Sequence, residues 1–207
     1  MSKLRLFVVR HGETAWSRER RFAGSRDVAL EPEGLRQCEA VARALASQVV
    51  AAVYASPLER ARASAELIAK PHRLPVEIDP AFGEMAFGEW EGLTREEVAA
   101  RFPAAYEEWR HAPHLVRIAG GETLAQVAER ARGAVQALAA SHSGETIVLV
   151  THAIVTRLIV LDALGLGPER LWTVDATPAG ITEIEYEPGW ATVHRMNTLA
   201  HLEAAAP

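Results

Sequence analysis

Four short segments of this chain carry side chains that could do chemistry together. Arg10-His11-Gly12-Glu13-Thr14 sets an imidazole beside a guanidinium and ahead of a glycine. A neutral imidazole is a nucleophile, the arginine a charge partner, and the glycine leaves room for a close anion. An isolated Arg-His pair is more often a core histidine beside a surface arginine, so its company decides its meaning. Ser56-Pro57-Leu58-Glu59-Arg60-Ala61-Arg62 puts Arg60 in the first turn of a helix, an end that favours negative charge. Its planar fork can hold two oxygens of one tetrahedral anion, while Arg62 reads as solvated. In Glu84-Met85-Ala86-Phe87-Gly88-Glu89-Trp90-Glu91-Gly92 an apolar, aromatic loop would keep a carboxyl protonated to higher pH. Glu84 is the candidate proton donor, and Glu89 and Glu91 read as solvated or structural. The fourth segment, Val150-Thr151-His152-Ala153, offers a second imidazole able to donate to an oxyanion as charge builds.

These segments need elements to bring them together. Leu4 to Val9 is short, β-branched and aromatic, and reads as a buried strand that delivers Arg10 and His11 at its carboxyl end. From Pro32, the series Leu35, Cys38, Val41, Ala42, Leu45 has helical spacing, and Val49 to Ala55 follows as a strand. Ser56 suits the cap, and Pro57 the first turn, of a helix with Leu58, Ala61, Ala65 and Ile68 on one side. A short strand and an irregular loop occupy residues 71–93. Thr94 with Glu97, and Thr123 with Gln126, form capping boxes that each open a helix. The second of these is long, with Leu124, Val127, Ala131, Val135 and Leu138 along one face. Ile147 to Val150 is an apolar strand, Ile154 to Leu164 a helix, and Ile181 to Tyr186 and Thr192 to Met196 two strands at a sheet edge. Alternating strands and helices predict an α/β domain with a mainly parallel sheet. Ligands of such sheets bind beyond the strands' carboxyl ends, where both His11 and His152 fall.

The chain has 207 residues, 49% of them hydrophobic, which suits one domain with a sizeable core and disorder confined to the ends. The apolar stretch before Arg10 is too short for a signal peptide and no apolar run reaches membrane-spanning length, so a cytoplasmic protein without a membrane partner is expected. Cys38 is the single cysteine, which rules out an internal disulfide and a cysteine-based metal cluster and suggests a buried helical thiol. A formal net charge of −5 argues against a nucleic-acid partner. Yet Lys3, Arg5, Arg10, Arg18, Arg20, Arg21 and Arg26 face only Glu13 and Glu19 within the first 26 residues, a local positive field suited to a small anion.

In their order along the chain, the four segments resemble the histidine phosphatase superfamily, the phosphoglycerate mutase-like proteins. The resemblance runs from about Lys3 to His201. It is carried by Arg-His-Gly-Glu-Thr, Ser-Pro-Leu-x-Arg-Ala, Glu-x-x-Phe-Gly-x-Trp-Glu-Gly and the late Thr-His. It implies a single-domain doubly wound α/β fold with helices on both faces of the sheet, and His11 as the residue that accepts the phosphoryl group. Arg10, Arg60 and His152 would complete the phosphate pocket. Glu84 would act first as proton donor and then as base, with no metal or cofactor, since arginines and imidazole supply the positive charge. A neutral His11 is required for attack, and neighbouring arginine charge favours it. Thr14, Ser17, Arg21 and Gly24 are expected to add contacts. Ser17 stands where many members have asparagine and Ala23 where mutases commonly have threonine, which alters secondary contacts near the phosphate but not the core chemistry.

Mutases of this family usually have a longer insertion after the glutamate loop, with basic residues for a second acidic group. Only about thirty residues separate Gly92 from Glu122 here, so a phosphatase of small phosphorylated metabolites is favoured over a mutase. A non-catalytic phospho-ligand module should lose the nucleophile or the acid, and both are kept. A histidine-ligated metal hydrolase lacks any His-x-x-x-His spacing. The insert at about 93–122 is expected to cover the active site. Trp109, Pro113-His114-Leu115 and Gly120-Gly121-Glu122-Thr123 resemble broad-specificity and metal-independent phosphoserine phosphatases, as does the ending around His201. Phe87 stands where those phosphoserine enzymes tend to have histidine, and the Glu84-to-Gly92 loop is equally like α-ribazole phosphatases. His114 and His201 either bind a substrate carboxylate or lie on the surface. Trp109, Trp172 and Trp190 read as packing residues. A homodimer is one assembly compatible with the chain.

Overall fold

The computed structural model describes residues 3–203, so the chain ends, where the sequence suggests disorder, lie outside the described residues. Its centre is a six-stranded sheet in the order β3-β2-β4-β1-β5-β6. Strands β1 (Leu4–Arg10), β2 (Ala52–Ala55), β3 (Val76–Ile78) and β4 (Thr146–Thr151) run parallel. Strands β5 (Ile181–Glu187) and β6 (Trp190–Thr198) extend the sheet antiparallel beyond β1, with β6 at the edge. Val49 is exposed and β2 starts only at Ala52, so the apolar run before it is longer than the strand.

Both faces of the central strands are buried, because helices cover each. Leu4, Leu6 and Val8 of β1 and Ile147 and Leu149 of β4 join one core. Phe7 and Val9, with Val148 and Val150, join the other, as the two-residue period of a strand demands. The first core is closed by α6 (Leu124–Ser141) and α7 (Ala153–Ala163). The Thr123 and Gln126 box opens α6, and Leu124, Val127, Ala131, Val135 and Leu138 are its buried residues. Each of the larger of these contributes about 1.5–3 kcal/mol by leaving water. The second core is closed by α2 (Pro32–Leu45) and α3 (Glu59–Ala69). Cys38 is buried in α2, whereas Leu35, one turn earlier, is exposed.

Two departures from the sequence reading matter for the site. The helix after β2 begins at Glu59 rather than Pro57, with Leu58 as its N-cap residue and no side-chain cap. Between α4 (Arg95–Arg101), opened by the Thr94 and Glu97 box, and α6 lies a further helix, α5 (Pro103–His111), that the sequence reading omits. Among the described residues, no helix is long and apolar enough to cross a membrane.

Candidate active site

Registry places the two histidines. Strands β1 and β4 pair Arg10 with Thr151, so each strand delivers its next residue, His11 or His152, at the same carboxyl end of the sheet. The rings lie 5.1 Å apart between centroids, tilted by 58°. His11 is 4% exposed and His152 fully buried. His11 Nδ1 lies 2.7 Å from the Gly12 carbonyl. A carbonyl only accepts, so the proton of the neutral ring sits on Nδ1 and the lone pair on Nε2. Burial, and after it the charges of Arg60 and Arg10, hold the His11 pKa well below the ordinary 6.5. Burial is therefore the larger cause of neutrality, ahead of the arginine charge emphasised by the sequence reading. His152 is lowered in the same way, by burial first and then by Arg60, His11 and Arg10.

Gly12 has a different function from the one expected. A Cβ there would sit 2.8 Å from Cys38 Sγ and against the Gly34 carbonyl, so the missing side chain admits α2 rather than an anion. Ser64 on α3 then ties two parts of the site together. Its hydroxyl accepts the Gly12 N–H at 3.1 Å and donates to the Arg60 carbonyl at 2.7 Å.

Arg60, 1% exposed, donates through its terminal nitrogens to the carbonyls of Arg26 at 2.7 Å and Gly24 at 2.8 Å. Arg10 donates to the Ala176 carbonyl at 2.7 Å. Carbonyls thus orient both guanidinium groups without neutralising them, and the Nε of each is a buried donor with no partner. Burial brings Arg10 down to about 10 and lowers Arg60, with Glu84 opposing both shifts. Both remain cations at neutral pH. Glu84 accepts from the Met85 N–H at 2.9 Å and the Ile154 N–H at 3.4 Å. Burial raises its pKa above 4.5 against the pull of those bonds and of Arg60 and Arg10. Arg130 on α6 fixes the loop behind it, binding the carbonyls of Ala81 at 2.7 Å and Gly83 at 2.8 Å while pairing with Glu122 at 2.9 Å.

A cavity of about 580 Å³ opens over this group, lined by Arg10, His11, Arg60 and Glu84. Thr14, Ser17, Arg21 and Gly24 line it as well, but not all are free for a ligand. Thr14 and Ser17 cap each other across α1 (Ala15–Arg18), and Arg21 is engaged by Glu19 at 2.6 Å and the Gly92 carbonyl at 2.8 Å. His152 is not among the lining residues, but its ring stands 5.1 Å from that of His11, which is. The two remaining candidates lie elsewhere. His201, on α8 (Ala200–Glu203), binds the Ala179 carbonyl at 3.0 Å behind the loop that supports Arg10, and His114 is also absent from the cavity lining. Glu91 is structural, accepting from Ser25 and Phe87 N–H groups.

The sequence reading missed the outer wall. Arg20, Arg95, Arg110 and Arg157 line the mouth with Asp175, and Phe22, Tyr106, Trp109 and Trp172 form its apolar side. Trp109 and Trp172 pack edge to face at 5.1 Å, while Trp190 is 70% exposed and lies away from it. Arg157 follows His152 by five residues on α7 and binds Asp175 at 2.9 Å. Its position soon after a site histidine was the one signal in the sequence that could have found it.

With this geometry in place, comparison with known proteins identifies the class. The sequence matches the histidine phosphatase superfamily (branch 1) over residues 6–199, and the chain belongs to that family. It is 30% identical to Phosphoserine phosphatase 1 of Hydrogenobacter thermophilus over 96% of this chain and 94% of the relative. It is 36% identical to a metal-independent phosphoserine phosphatase of Arabidopsis thaliana, over 75% of this chain and 67% of the relative. Among solved structures, Bacillus stearothermophilus YhfR superposes with a TM-score of 0.91 at 31% identity, covering 96% of this chain and 99% of that one. The protein is a phosphatase of the histidine type.

Proposed function

We propose that the protein hydrolyses small phosphomonoesters without a metal, through a phosphohistidine on His11. The carrying observation is a set of orphaned buried donors around one nucleophilic lone pair. Arg10 Nε, Arg60 Nε and His152 Nδ1 have no partner among the described residues, an expensive arrangement for buried polar groups unless a ligand pairs with them. A phosphoryl group has acceptor oxygens for such donors. In the first step His11 Nε2 attacks phosphorus, the ester P–O bond breaks, and the Glu84 carboxylic acid gives its proton to the departing alkoxide. In the second, Glu84 carboxylate takes a proton from water as that water attacks phosphorus. The P–N bond breaks, and inorganic phosphate and the starting enzyme are restored. Positive charge comes from Arg10 and Arg60, in the place a metal ion fills in other phosphoryl-transfer enzymes.

The mouth points to the substrate class. Arg20, Arg95, Arg110 and Arg157 outnumber Asp175 there, which favours an alcohol portion with a second acidic group. Phosphoserine, the substrate for which the Hydrogenobacter relative is named, has such a carboxylate. Phe87, 5% exposed and packed on Phe22 and Trp109, gives that carboxylate no partner, so the arginines would bind it. Segment 93–122 would act as cover and selector through Arg95, Tyr106, Trp109 and Arg110.

The test is a phosphomonoester panel ranked by kcat/KM, run with and without chelator. Phosphoserine should exceed phosphoethanolamine, which lacks the carboxylate, and should match or exceed α-ribazole phosphate, with chelator having no effect. His11→Ala should abolish turnover and the acid-labile, alkali-stable phosphoenzyme. Normal turnover in that variant would defeat the mechanism, and loss of turnover in chelator would defeat metal independence.

A further inference from the structure

Ser56 is buried at the end of β2, and the helix it was expected to cap starts three residues later. Its hydroxyl lies instead 2.7 Å from His152 Nε2, across 96 residues of sequence. It also accepts the Leu58 N–H at 3.3 Å. Strands β2 and β4 pair Ala55 with Val150, so this contact is built into the sheet.

The contact has a direction. The hydroxyl accepts the Leu58 N–H and has one proton of its own, for which His152 Nε2 is the acceptor found among the described residues; the reverse direction would leave that buried proton unpaired. A nitrogen that accepts this proton carries none of its own, so a neutral His152 ring holds its proton on Nδ1. That nitrogen is buried and has no partner among the described residues. The opposite tautomer would leave a buried lone pair on a ring 5.1 Å from that of His11, where it would repel the oxygens of a phosphoryl group carried by His11.

We propose that Ser56 is a positioning residue that fixes the tautomer of His152, so that Nδ1–H is a ready donor to the phosphoryl group on its way to and from His11. This rests on the donor role given to His152 above and adds what sets it. Ser56 does not touch the substrate; it acts through the ring.

The experiment combines spectroscopy with kinetics. In protein labelled with ¹⁵N at histidine, the His152 ring should show a protonated Nδ1 and an unprotonated Nε2 at neutral pH. Ser56→Ala should lose that single-tautomer signature and lower kcat for phosphoserine by about ten- to about a hundredfold, at or below the loss of a whole oxyanion donor. KM should change far less. Ser56→Thr, which keeps the hydroxyl, should restore both tautomer and rate. The double variant Ser56→Ala, His152→Ala should be no slower than His152→Ala alone, as expected of two residues acting as one unit. A protonated Nε2 in the unaltered protein, an unchanged tautomer in Ser56→Ala, or losses that multiply in the double variant would each overturn the proposal. A failure of the phosphohistidine pathway would show separately, as turnover surviving His11→Ala with the tautomer of His152 intact.

Discussion

Replacing Glu84 with glutamine separates the two halves of the proposed cycle. The amide is nearly isosteric, and its oxygen can still accept the Met85 N–H that Glu84 accepts at 2.9 Å. What disappears is an ionisable proton whose pKa burial has raised. Positioned general acids and bases contribute about 10²–10⁴-fold, or about 3–5 kcal/mol of barrier. The loss should fall unequally. The alkoxide of phosphoserine needs a proton to leave, so both steps slow with that substrate. p-Nitrophenolate leaves unprotonated, so its release survives while water attack on the phosphohistidine, which needs the base, does not. Rapid-quench assays of Glu84→Gln should therefore show a burst of p-nitrophenol close to one per active site, followed by slow turnover and a trapped phosphoenzyme. The pH profile gives a second reading. A raised carboxyl pKa means the acid form is lost as pH climbs through it, so kcat/KM of the unaltered enzyme falls on the alkaline side. Glu84→Gln should flatten that limb, leaving the ionisation of the phosphate ester itself, near pH 6, common to both profiles. Equal losses on both esters, with no burst, would refute the assignment of Glu84.

Arg60→Lys keeps the charge but cannot fork between the Gly24 and Arg26 carbonyls and the phosphoryl group, so kcat/KM should fall about a hundredfold with a folded circular-dichroism spectrum. Gly12→Ala drives a methyl group against Cys38 Sγ and the Gly34 carbonyl, and overpacking of this kind costs about 1–3 kcal/mol. Calorimetry should record a Tm lower by about 2–12 °C for a domain of this size. Acid should destabilise the fold. Between their lowered folded pKa values and the usual 6.5, His11 and His152 bind protons only when unfolded, so stability rises with pH through that window. Glu84, raised, works in the opposite sense. The urea midpoint should therefore lie lower at pH 5.5 than at pH 7, with Glu84 offsetting part of the change. A midpoint unchanged by pH would contradict neutral buried rings.

Signals that lie within one or two turns of chain were legible in the sequence. The capping boxes at Thr94 and Thr123 and the stripe on α6 are of this kind, since propensity and period act locally. Illegible features have distant causes. The run from Val49 looks like strand, but β2 pairs with β4 only from Ala52, leaving Val49 outside the ladder. Ser56 resembles an N-cap, yet His152 is the partner of its hydroxyl. Helix α5 has Pro103 in its first turn but no side-chain cap, and its one buried residue, Trp109, packs into an aromatic cluster formed by remote segments. His201 is a candidate ligand residue by sequence, but its ring binds the Ala179 carbonyl and does not line the cavity.

The chemistry itself depends on this division. In the proposed mechanism one residue type, just beyond two neighbouring parallel strands, is asked to be a nucleophile in one place and a donor in the other. The sequence supplies identical imidazoles, and burial makes both neutral. What distinguishes them is the atom each ring meets on its far side. A carbonyl of the next residue leaves His11 Nε2 with a lone pair, whereas the Ser56 hydroxyl just beyond β2, donating as proposed, would leave His152 Nδ1 with a proton. The first contact is local and follows from His11-Gly12. The second exists only because β2 and β4 are neighbours in the sheet, so the fold, rather than the motif around His152, would give that histidine its proposed role.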